Sequence, residues 1–374
     1  MRVAYFSNQF AAATGHGMRR YAFELYDAIT ALGGADLVPA AGWSNLSPDD
    51  LRVLRDRSGL QLMGTGRRGT SLAWTLLGAP AMETMMSGPI DVTHAVSMGY
   101  PVATRKPLVV TVHDLGPLTH PQFFSNNRPW VMRAALKQAA ERAAVVVAIS
   151  HATADEIRSL HPDVGDRLRV VQSGVSDVFF EPADMAALDG LPLPSPDTPL
   201  ILTAGKISPR KNVLAVAQAL ERVADTVPHH LVLTGGDGWD TEAVHAALST
   251  GVLRDRVHQV GFVSDDVLRA LYARADIYAH PSLYEGFGLT VLEAMAAGTP
   301  VITSNLSSLP EVAGNAAELV DPNDVDAIAD AILRIATRDG HAEALSAAGI
   351  VRARAFPWEN TAQAMIDIYK EAAA

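Results

Sequence analysis

Short apolar runs and amphipathic stretches alternate along most of this 374-residue chain. The runs are rich in Val and Ile and apolar at consecutive positions, which is typical of parallel strands covered on both faces. The stretches between them, such as 21–32, 128–143, 213–227 and 265–273, repeat apolar residues at helical spacing. This alternation predicts doubly wound α/β domains. The predicted strands are 3–6, 108–112, 145–149, 168–171, 200–204, 231–234, 257–260, 277–279 and 300–303.

A proline-rich segment divides the chain into two comparable parts. Residues 191–199 contain four prolines in nine positions, a density that neither a helix nor a central strand accommodates. We therefore predict one Rossmann-like domain over 1–181, a second over 182–356, and a C-terminal helix over 357–374 that can pack on either domain, including back on the first. Two such domains would face one cleft at the carboxyl ends of their strands.

Composition and charge exclude several function classes. The chain has no Cys, which rules out disulfide scaffolds, Cys-ligated zinc, iron–sulfur clusters and thiol nucleophiles. Its net charge of −11 argues against a nucleic-acid partner. The charge is uneven: 17 basic and 16 acidic residues lie up to Glu181, against 13 and 25 after it. This difference suggests that the two domains have different partners.

The apolar runs and the charge clusters also indicate where in the cell the protein acts. No apolar run approaches the roughly 18 residues of a membrane span, and residues 1–6 are too short for a signal peptide. We expect a cytoplasmic protein. The first half contains three basic clusters, Arg19-Arg20, Arg52/Arg55/Arg57 and Arg67-Arg68. These clusters leave open a peripheral contact of the first domain with the inner face of an anionic membrane, although such clusters are also typical of solvated helix faces.

A loop with two glycines and two glutamates carries the most informative chemistry. Gly286 and Gly288 permit close backbone approach, and the predicted helix start at Leu289 presents N–H groups suited to phosphate. The carboxylates of Glu285 and Glu293 would repel phosphate, so sugar hydroxyls are their natural partners. Glu293 also fits an ordinary first-turn carboxylate that the helix dipole favours.

A second loop is cationic. Lys206, Arg210 and Lys211 lie between the end of a predicted strand and a helix that we expect Asn212 to cap. Charge-assisted hydrogen bonds to phosphate contribute about 1.5–3 kcal/mol each, so two of these cations would anchor a diphosphate. The alternative is a solvated basic loop.

The first half offers weaker candidates. A glycine-rich turn with Gly15 and Gly17 opens the first helix, where such turns admit phosphate or a sugar, although a plain tight turn explains it as well. His113 follows a buried strand, where an isolated histidine is usually structural, and Asp114 fits an orienting or capping residue. We infer no metal site, because His229-His230 lacks partner ligands and Asp324 fits a helix cap.

These segments together resemble the retaining glycosyltransferases of the GT-B fold, glycosyltransferase family 4 (group 1 glycosyl transferases) in particular. Glu285 and Glu293 match that family's Glu–seven residues–Glu signature. Further segments resemble its flanking blocks over nearly the whole chain: 147–150, 170–175 (with Gln-Ser where Pro-Asn is usual), 261–272, 307–314 and 319–322. The resemblance implies an α/β GT-B fold, with two doubly wound Rossmann-like domains facing a central cleft.

The resemblance also implies roles for individual residues. His113, Lys211 and Glu285 are the candidate catalytic residues, His113 because the matching residue contacts the transferred sugar. The family has Arg where Lys206 stands, so either Arg210 compensates for the lost bidentate geometry or the diphosphate is held less rigidly. The implied donor-binding set is Gly15, Gly17, Gly205, Lys206, Arg210, Lys211, Val263 (base), Glu285, Gly286, Phe287, Gly288 (sugar), Leu289, Thr290 (diphosphate) and Glu293 (ribose).

The resemblance further implies transfer of a sugar from a nucleotide diphosphate to a hydroxyl group, with no cofactor or metal. The context of the first domain is similar to that of mannosyl- and rhamnosyltransferases, which makes GDP-mannose the first donor to consider, with UDP- and dTDP-sugars open. The acceptor is a glycan, a lipid-linked molecule or a small molecule. The alternatives are a GT-B-like sugar-nucleotide epimerase or phosphorylase, or a non-catalytic sugar-nucleotide-binding protein.

Overall fold

The computed structural model describes residues 1–13, 17–63, 66–124 and 129–374. The chain forms two compact units. The first consists of Met1–Pro121, Asn126–Gly174 and Trp358–Ala374, and the second of Gln122–Ser125 and Val175–Pro357. The last helix therefore belongs to the first unit.

Strands and helices alternate in both units. In the described residues the strands are β1 (Arg2–Phe6), β2 (Asp36–Ala41), β3 (Gln61–Leu62), β4 (Val92–Ala95), β5 (Leu108–Val112), β6 (Val145–Ala148), β7 (Leu168–Val170), β8 (Leu200–Ala204), β9 (His230–Thr234), β10 (Val257–Gly261), β11 (Ile277–His280), β12 (Val301–Ser304) and β13 (Glu318–Val320). The helices are α1 (Gly17–Leu32), α2 (Pro48–Ser58), α3 (Gly66–Leu77), α4 (Gly116–Thr119), α5 (Pro129–Arg142), α6 (His151–Leu160), α7 (Val213–Val223), α8 (Glu242–Leu248), α9 (Leu253–Arg256), α10 (Asp265–Arg274), α11 (Leu289–Ala296), α12 (Leu309–Ala313), α13 (Val325–Thr337), α14 (His341–Ala353) and α15 (Trp358–Ala373).

The first unit is built on a parallel sheet with the strand order β3-β2-β1-β4-β5-β6-β7. Strands β4, β5 and β6 are buried at every position, because helices cover the sheet and these runs are apolar on both faces. Helices α1 and α15 pack against each other, and α15 also contacts β4 and β5. The carboxyl ends of the central strands thereby share one edge.

The second unit contains a parallel sheet with the order β10-β9-β8-β11-β12-β13. Helices α7 and α13 pack together, and Val216, Leu220, Ile328 and Ile332 from them are buried in the core. The strand order reverses between β8 and β11. In doubly wound sheets such a reversal separates the loops that follow the two strands and opens a ligand-binding crevice at their carboxyl ends.

A buried histidine joins the last helix to the first sheet. His94 of β4 is hydrogen-bonded through Nδ1 to the Tyr369 hydroxyl (2.7 Å) and through Nε2 to Thr111 Oγ1 (2.8 Å). Burial, with a smaller effect of His113, lowers the pKa of His94 from its ordinary value of 6.5 to about 3. His94 is therefore neutral in the folded protein near pH 7.

The unfolding free energy is expected to fall as the pH is lowered below 6.5, because His94 takes up a proton only in the unfolded chain. Because the pKa of His94 is depressed in the folded protein, its contribution to the unfolding free energy is complete above pH 6.5 and is lost as the pH falls toward 3. One such histidine removes about 1 kcal/mol between pH 6.5 and 5.5. Urea unfolding at both pH values measures the loss in the parent protein and in His94→Gln, which should show a correspondingly weaker pH dependence. Identical pH dependence in the two proteins would contradict this assignment.

Candidate active site

The cationic loop and the glutamate loop lie side by side in the second unit. They follow β8 and β11, the neighbouring strands at which the sheet order reverses. The Leu283 N–H donates to the Arg210 carbonyl (2.9 Å). The Asn212 amide donates to the carbonyls of Pro281 (3.1 Å) and Pro322 (2.7 Å). These bonds fix the cations beside Glu285.

Asn212 corrects one prediction. It stands at the start of α7, but its side chain makes no capping bond there. Its backbone is left-handed (φ 57°), and the amide instead bonds to the two loop carbonyls. The predicted cap of α7 was therefore wrong. The predicted cap by Asp324 is confirmed, because its carboxylate accepts from the N–H groups of Asp326 and Ala327.

Glu285 is the centre of a compact charged cluster. Arg210 Nη1 lies 2.6 Å from its Oε2, and Lys211 Nζ lies 2.7 Å from its Oε1. His280 Nε2 donates to the same Oε1 over 3.1 Å. The Glu285 side chain is 12% exposed, so the cluster is nearly buried but keeps some contact with solvent. Three predicted site residues are thus brought into direct contact, and His280 joins them.

The charges in this cluster stabilise one another. Burial by itself would raise the pKa of Glu285, but Arg210, Lys211 and the bond from His280 outweigh it and hold that pKa well below its usual range. Burial lowers the pKa of Lys211, and Glu285 opposes that shift. Burial and then Lys211 lower the pKa of His280 to about 4. Near pH 7 one carboxylate therefore faces two cations and a neutral imidazole, and the cluster keeps a net positive charge.

Lys206 lies apart from this cluster. It is exposed, and within the described part of the chain its ammonium group has no ion-pair or hydrogen-bond partner. Two glycines define the backbone next to Lys206. The N–H of Gly205 (φ 119°) donates to the Thr234 carbonyl. Gly235 (φ 111°) packs so closely on Gly205 that a Cβ there would lie 2.4 Å from the Gly205 oxygen. The loop that begins at Gly205 is therefore fixed at the sheet edge while the Lys206 side chain remains available to an anion.

Helix α11 begins at Leu289, as the sequence predicts, and Thr290 lies in its first turn. Gly288 precedes it with a left-handed backbone (φ 114°), and a Cβ there would lie 2.7 Å from a Leu309 methyl group. The Ser308 hydroxyl contacts the carbonyls of Glu285 (2.9 Å) and Phe287 (2.7 Å). The segment from Glu285 through Gly286 to Gly288 is thereby held immediately before the helix start.

The resemblance assigns Glu293 to the ribose and Val263 to the base, and neither residue lies in the two loops described above. Glu293 is fully buried in α11, and its Oε2 accepts from the Tyr272 hydroxyl (3.1 Å). Val263 follows β10 and is partly exposed. Glu293 nevertheless acts on the Glu285 cluster, because burial lowers the pKa of Lys211 and the charge of Glu293 opposes that shift. The ribose and base contacts expected of these two residues stay predictions.

His113 is positioned within the first unit. It follows β5, and its Nε2–H donates to the carbonyl of Val96, which follows the neighbouring strand β4 (2.8 Å). Burial lowers the pKa of His113 to about 4, although the bond to Val96 opposes the shift. The neutral ring with Nε2 protonated leaves Nδ1 as an acceptor, which has no partner in the described residues. Nδ1 can therefore accept a hydrogen bond from a ligand hydroxyl.

An aromatic contact supports this histidine. The Tyr21 ring of α1 meets His113 edge-on at 4.7 Å and also contacts Trp358 at the start of α15 (5.6 Å). The Asp114 carboxylate accepts from the N–H of Gly116 (3.0 Å), the first residue of α4, whose N-cap position is Leu115. Gly17 begins α1, whereas Gly15 lies outside the described residues.

In the described residues, no group of three or more His, Asp or Glu side chains has the arrangement of a metal site. No helix in the same residues is both long and apolar enough to cross a membrane.

The chain matches two family descriptions, one for each part. Residues 15–178 match Glycosyltransferase Family 4, and residues 192–352 match glycosyl transferases group 1. O-antigen chain mannosyltransferase B from Escherichia coli is 33% identical over 267 residues, which are 70% of this chain and 70% of that protein. A serotype-specific mannosyltransferase from the same organism is 31% identical over 271 residues, 69% of this chain. The match spans only 33% of that longer relative.

A solved structure supports the fold. HepE from Anabaena, in complex with UDP and glucose, superposes with a TM-score of 0.73 over 99% of each chain at 17% identity. The likeness confirms the α/β GT-B architecture with two Rossmann-like domains. Together with the family matches and the 33% identical relative, it shows that this chain belongs to glycosyltransferase family 4, the group 1 glycosyl transferases.

Proposed function

We propose that this glycosyltransferase moves a mannosyl group from GDP-mannose to a hydroxyl group of a glycan, lipid-linked or small-molecule acceptor, and retains the anomeric configuration. The observation that carries the proposal is the cluster of Arg210, Lys211 and Glu285 beside the start of α11. The name of the 33% identical relative supports mannose. The UDP complex of HepE makes UDP-sugars the donors to test against it, together with dTDP-sugars.

The cluster suits a diphosphate that becomes a leaving group. Without donor, Glu285 compensates Arg210 and Lys211, so that no buried charge is left unpaired. A bound diphosphate would share these cations, with Lys206 and the N–H groups at the start of α11 as further donors. Positive groups already in place stabilise the charge that develops as the bond from the anomeric carbon to phosphate breaks. Glu285 then has a free oxygen for a sugar hydroxyl.

In the proposed reaction the acceptor oxygen bonds to the anomeric carbon on the face that the phosphate leaves. The acceptor's proton passes to an oxygen of the departing diphosphate, so no protein base is required. We assign His113 to the transferred sugar, because its unprotonated Nδ1 can accept from a hydroxyl group.

A ligand panel tests the donor assignment. Thermal unfolding is followed with GDP, UDP, dTDP and their sugar derivatives, and a ligand at 100 times its dissociation constant adds about 2.7 kcal/mol of stability. GDP and GDP-mannose should raise the unfolding temperature most. Stabilisation by UDP and UDP-sugars alone would contradict GDP-mannose as the donor and would identify a UDP-sugar instead.

A product analysis tests the reaction class and the stereochemistry. NMR of the first product formed from α-linked donor should show an α-glycoside, and a β-glycoside would overturn retention. Donor incubated without acceptor should give at most slow hydrolysis. Formation of an epimeric sugar nucleotide would instead identify an epimerase.

Chelation is expected to leave the transfer rate unchanged, because Lys206, Arg210 and Lys211 supply the positive charge that the diphosphate needs. The initial rate is measured before and after dialysis against EDTA, with and without added manganese. A loss of activity that manganese restores would contradict the proposed metal-independent transfer.

A further inference from the structure

His280 is the most deeply buried member of the Glu285 cluster and the one that lies on a strand. Its side chain is 1% exposed, against 12% for Glu285 and 13% for Lys211. It is the last residue of β11 and pairs with Thr303 of β12, whose hydroxyl donates to the His280 carbonyl (3.0 Å). Glu285 lies on the loop that follows. The histidine is therefore a fixed point against which the loop carboxylate is held.

The neighbours of His280 define which ring nitrogen carries the proton. Nδ1 lies 3.1 Å from the Tyr278 hydroxyl, and Nε2 lies 3.1 Å from Glu285 Oε1. An ionised carboxylate only accepts, so Nε2 carries the proton and Nδ1 accepts from the Tyr278 O–H. The Ser282 hydroxyl accepts from the same Nε2–H over 3.1 Å. Tyr278, whose ring stacks on the imidazole (5.7 Å, 19°), thus orients the histidine toward the carboxylate.

The two oxygens of Glu285 have different kinds of partner. Oε1 lies 2.7 Å from Lys211 Nζ and accepts from His280, whereas Oε2 lies 2.6 Å from Arg210 Nη1. A diphosphate that binds Lys211 and Arg210 would draw both cations away from the carboxylate. His280 is neutral near pH 7, because burial and then Lys211 lower its pKa to about 4, and its single N–H already points to Oε1. Oε1 then keeps its bond from His280 while Oε2 is released.

We propose that His280 is a positioning residue, which holds Glu285 by Oε1 while the donor occupies the cations, so that Oε2 accepts a hydroxyl group of the transferred sugar. The inference rests on the proposed function, because it requires a donor that carries both a diphosphate and a sugar. It adds a division of labour to that function. Lys211 and Arg210 bind the diphosphate, whereas His280 acts on recognition of the sugar.

Titration calorimetry with two ligands tests this division, because GDP contains the diphosphate without the sugar and GDP-mannose contains both. His280→Asn places an acceptor near Nδ1 for the Tyr278 hydroxyl but has no N–H that reaches Glu285. It should raise the dissociation constant of GDP-mannose by about tenfold, the effect of one hydrogen bond to a charged group, and leave that of GDP within about twofold of the parent value. His280→Gln, which places an N–H near Nε2, should bind GDP-mannose nearly as well as the parent protein.

A double substitution tests whether His280 acts through Glu285. Glu285→Gln should itself weaken the binding of GDP-mannose, and adding His280→Asn should weaken it little further, because the carboxylate that transmits the effect is already gone. Additive losses would overturn the proposal. It is also overturned if His280→Asn binds GDP-mannose like the parent protein, if it weakens GDP and GDP-mannose equally, or if His280→Gln loses as much affinity for GDP-mannose as His280→Asn.

His341→Asn is the matched control, because His341 also lies beside a glutamate of the second unit, with its Nε2 2.7 Å from Glu318 Oε1. It should bind both ligands like the parent protein. If the parent protein binds UDP and UDP-glucose in place of the GDP compounds, the same comparison is made with that pair. Such a preference would contradict GDP-mannose as the donor, while the difference between the two ligands would still decide the role of His280.

Discussion

Replacing Lys211 by alanine is expected to lower kcat/KM for the donor by about 10²–10³-fold, the usual effect of removing a group that stabilises charge in the transition state. Lys211 is nearly buried and lies 2.7 Å from Glu285, so its position is defined before the donor binds. Its ammonium group is the cation that the proposed diphosphate would share with Glu285. Most of the loss should appear in kcat, because negative charge grows as the phosphate departs.

The Lys211→Ala variant should remain folded. Glu285 keeps Arg210 at 2.6 Å and the hydrogen bond from His280, so its carboxylate is not left unpaired. The unfolding temperature and the far-UV circular dichroism should therefore stay close to those of the parent protein. Lys137→Ala is a matched control, since that exposed lysine of α5 also lies beside a glutamate, Glu141, at 3.7 Å.

Three companion variants separate the roles of the cations. Arg210→Ala and Lys206→Ala should each lower kcat/KM by about tenfold, a smaller loss than that of Lys211→Ala. The loss is smaller because Arg210 also donates to the Tyr284 carbonyl (2.8 Å) and because Lys206 is exposed. Lys206→Arg should raise donor affinity, because arginine offers a bidentate contact to phosphate. A folded Lys211→Ala enzyme with parent-like kcat/KM would contradict the proposed role of Lys211.

The apolar pattern predicts the central strands because they are buried on both faces, as in β5 and β6. It does not predict β2, where Pro39 interrupts the run DLVPAA. The structure explains this strand: β3 pairs with β2 only at Ala40 and Ala41, so Pro39 lies at a free edge where no N–H is required. The position of α15 likewise depends on the distant bond between His94 and Tyr369, for which the sequence carries no local signal.

At the candidate site, the sequence pattern identifies the charged residues but not their pairing. Lys211 and Glu285 are 74 positions apart and meet because β8 and β11 are neighbours in the sheet. His280 was missed because it is the last residue of a strand, where a histidine is most often structural. Its only signal is its place five residues before Glu285 at the end of an apolar run.

Replacing His113 is the second change with a large expected effect. His113→Ala should lower kcat/KM by about 10²-fold, because it removes the Nδ1 acceptor proposed to bind the transferred sugar. Alanine also removes the bond to the Val96 carbonyl (2.8 Å) and the contact with Tyr21. Loss of activity in this variant alone would therefore not distinguish sugar binding from local structure.

Two amide substitutions separate these contributions at His113. Glutamine places an N–H near the position of Nε2 and can still donate to Val96, but it offers no acceptor near Nδ1. Asparagine places its oxygen near Nδ1 and gives up the bond to Val96. If Nδ1 binds the sugar, His113→Gln should be stable and lose about 10²-fold in kcat/KM, whereas His113→Asn should be less stable and keep activity within about tenfold of the parent. The reverse order of activities would mean that His113 acts only through its support of the loop after β4.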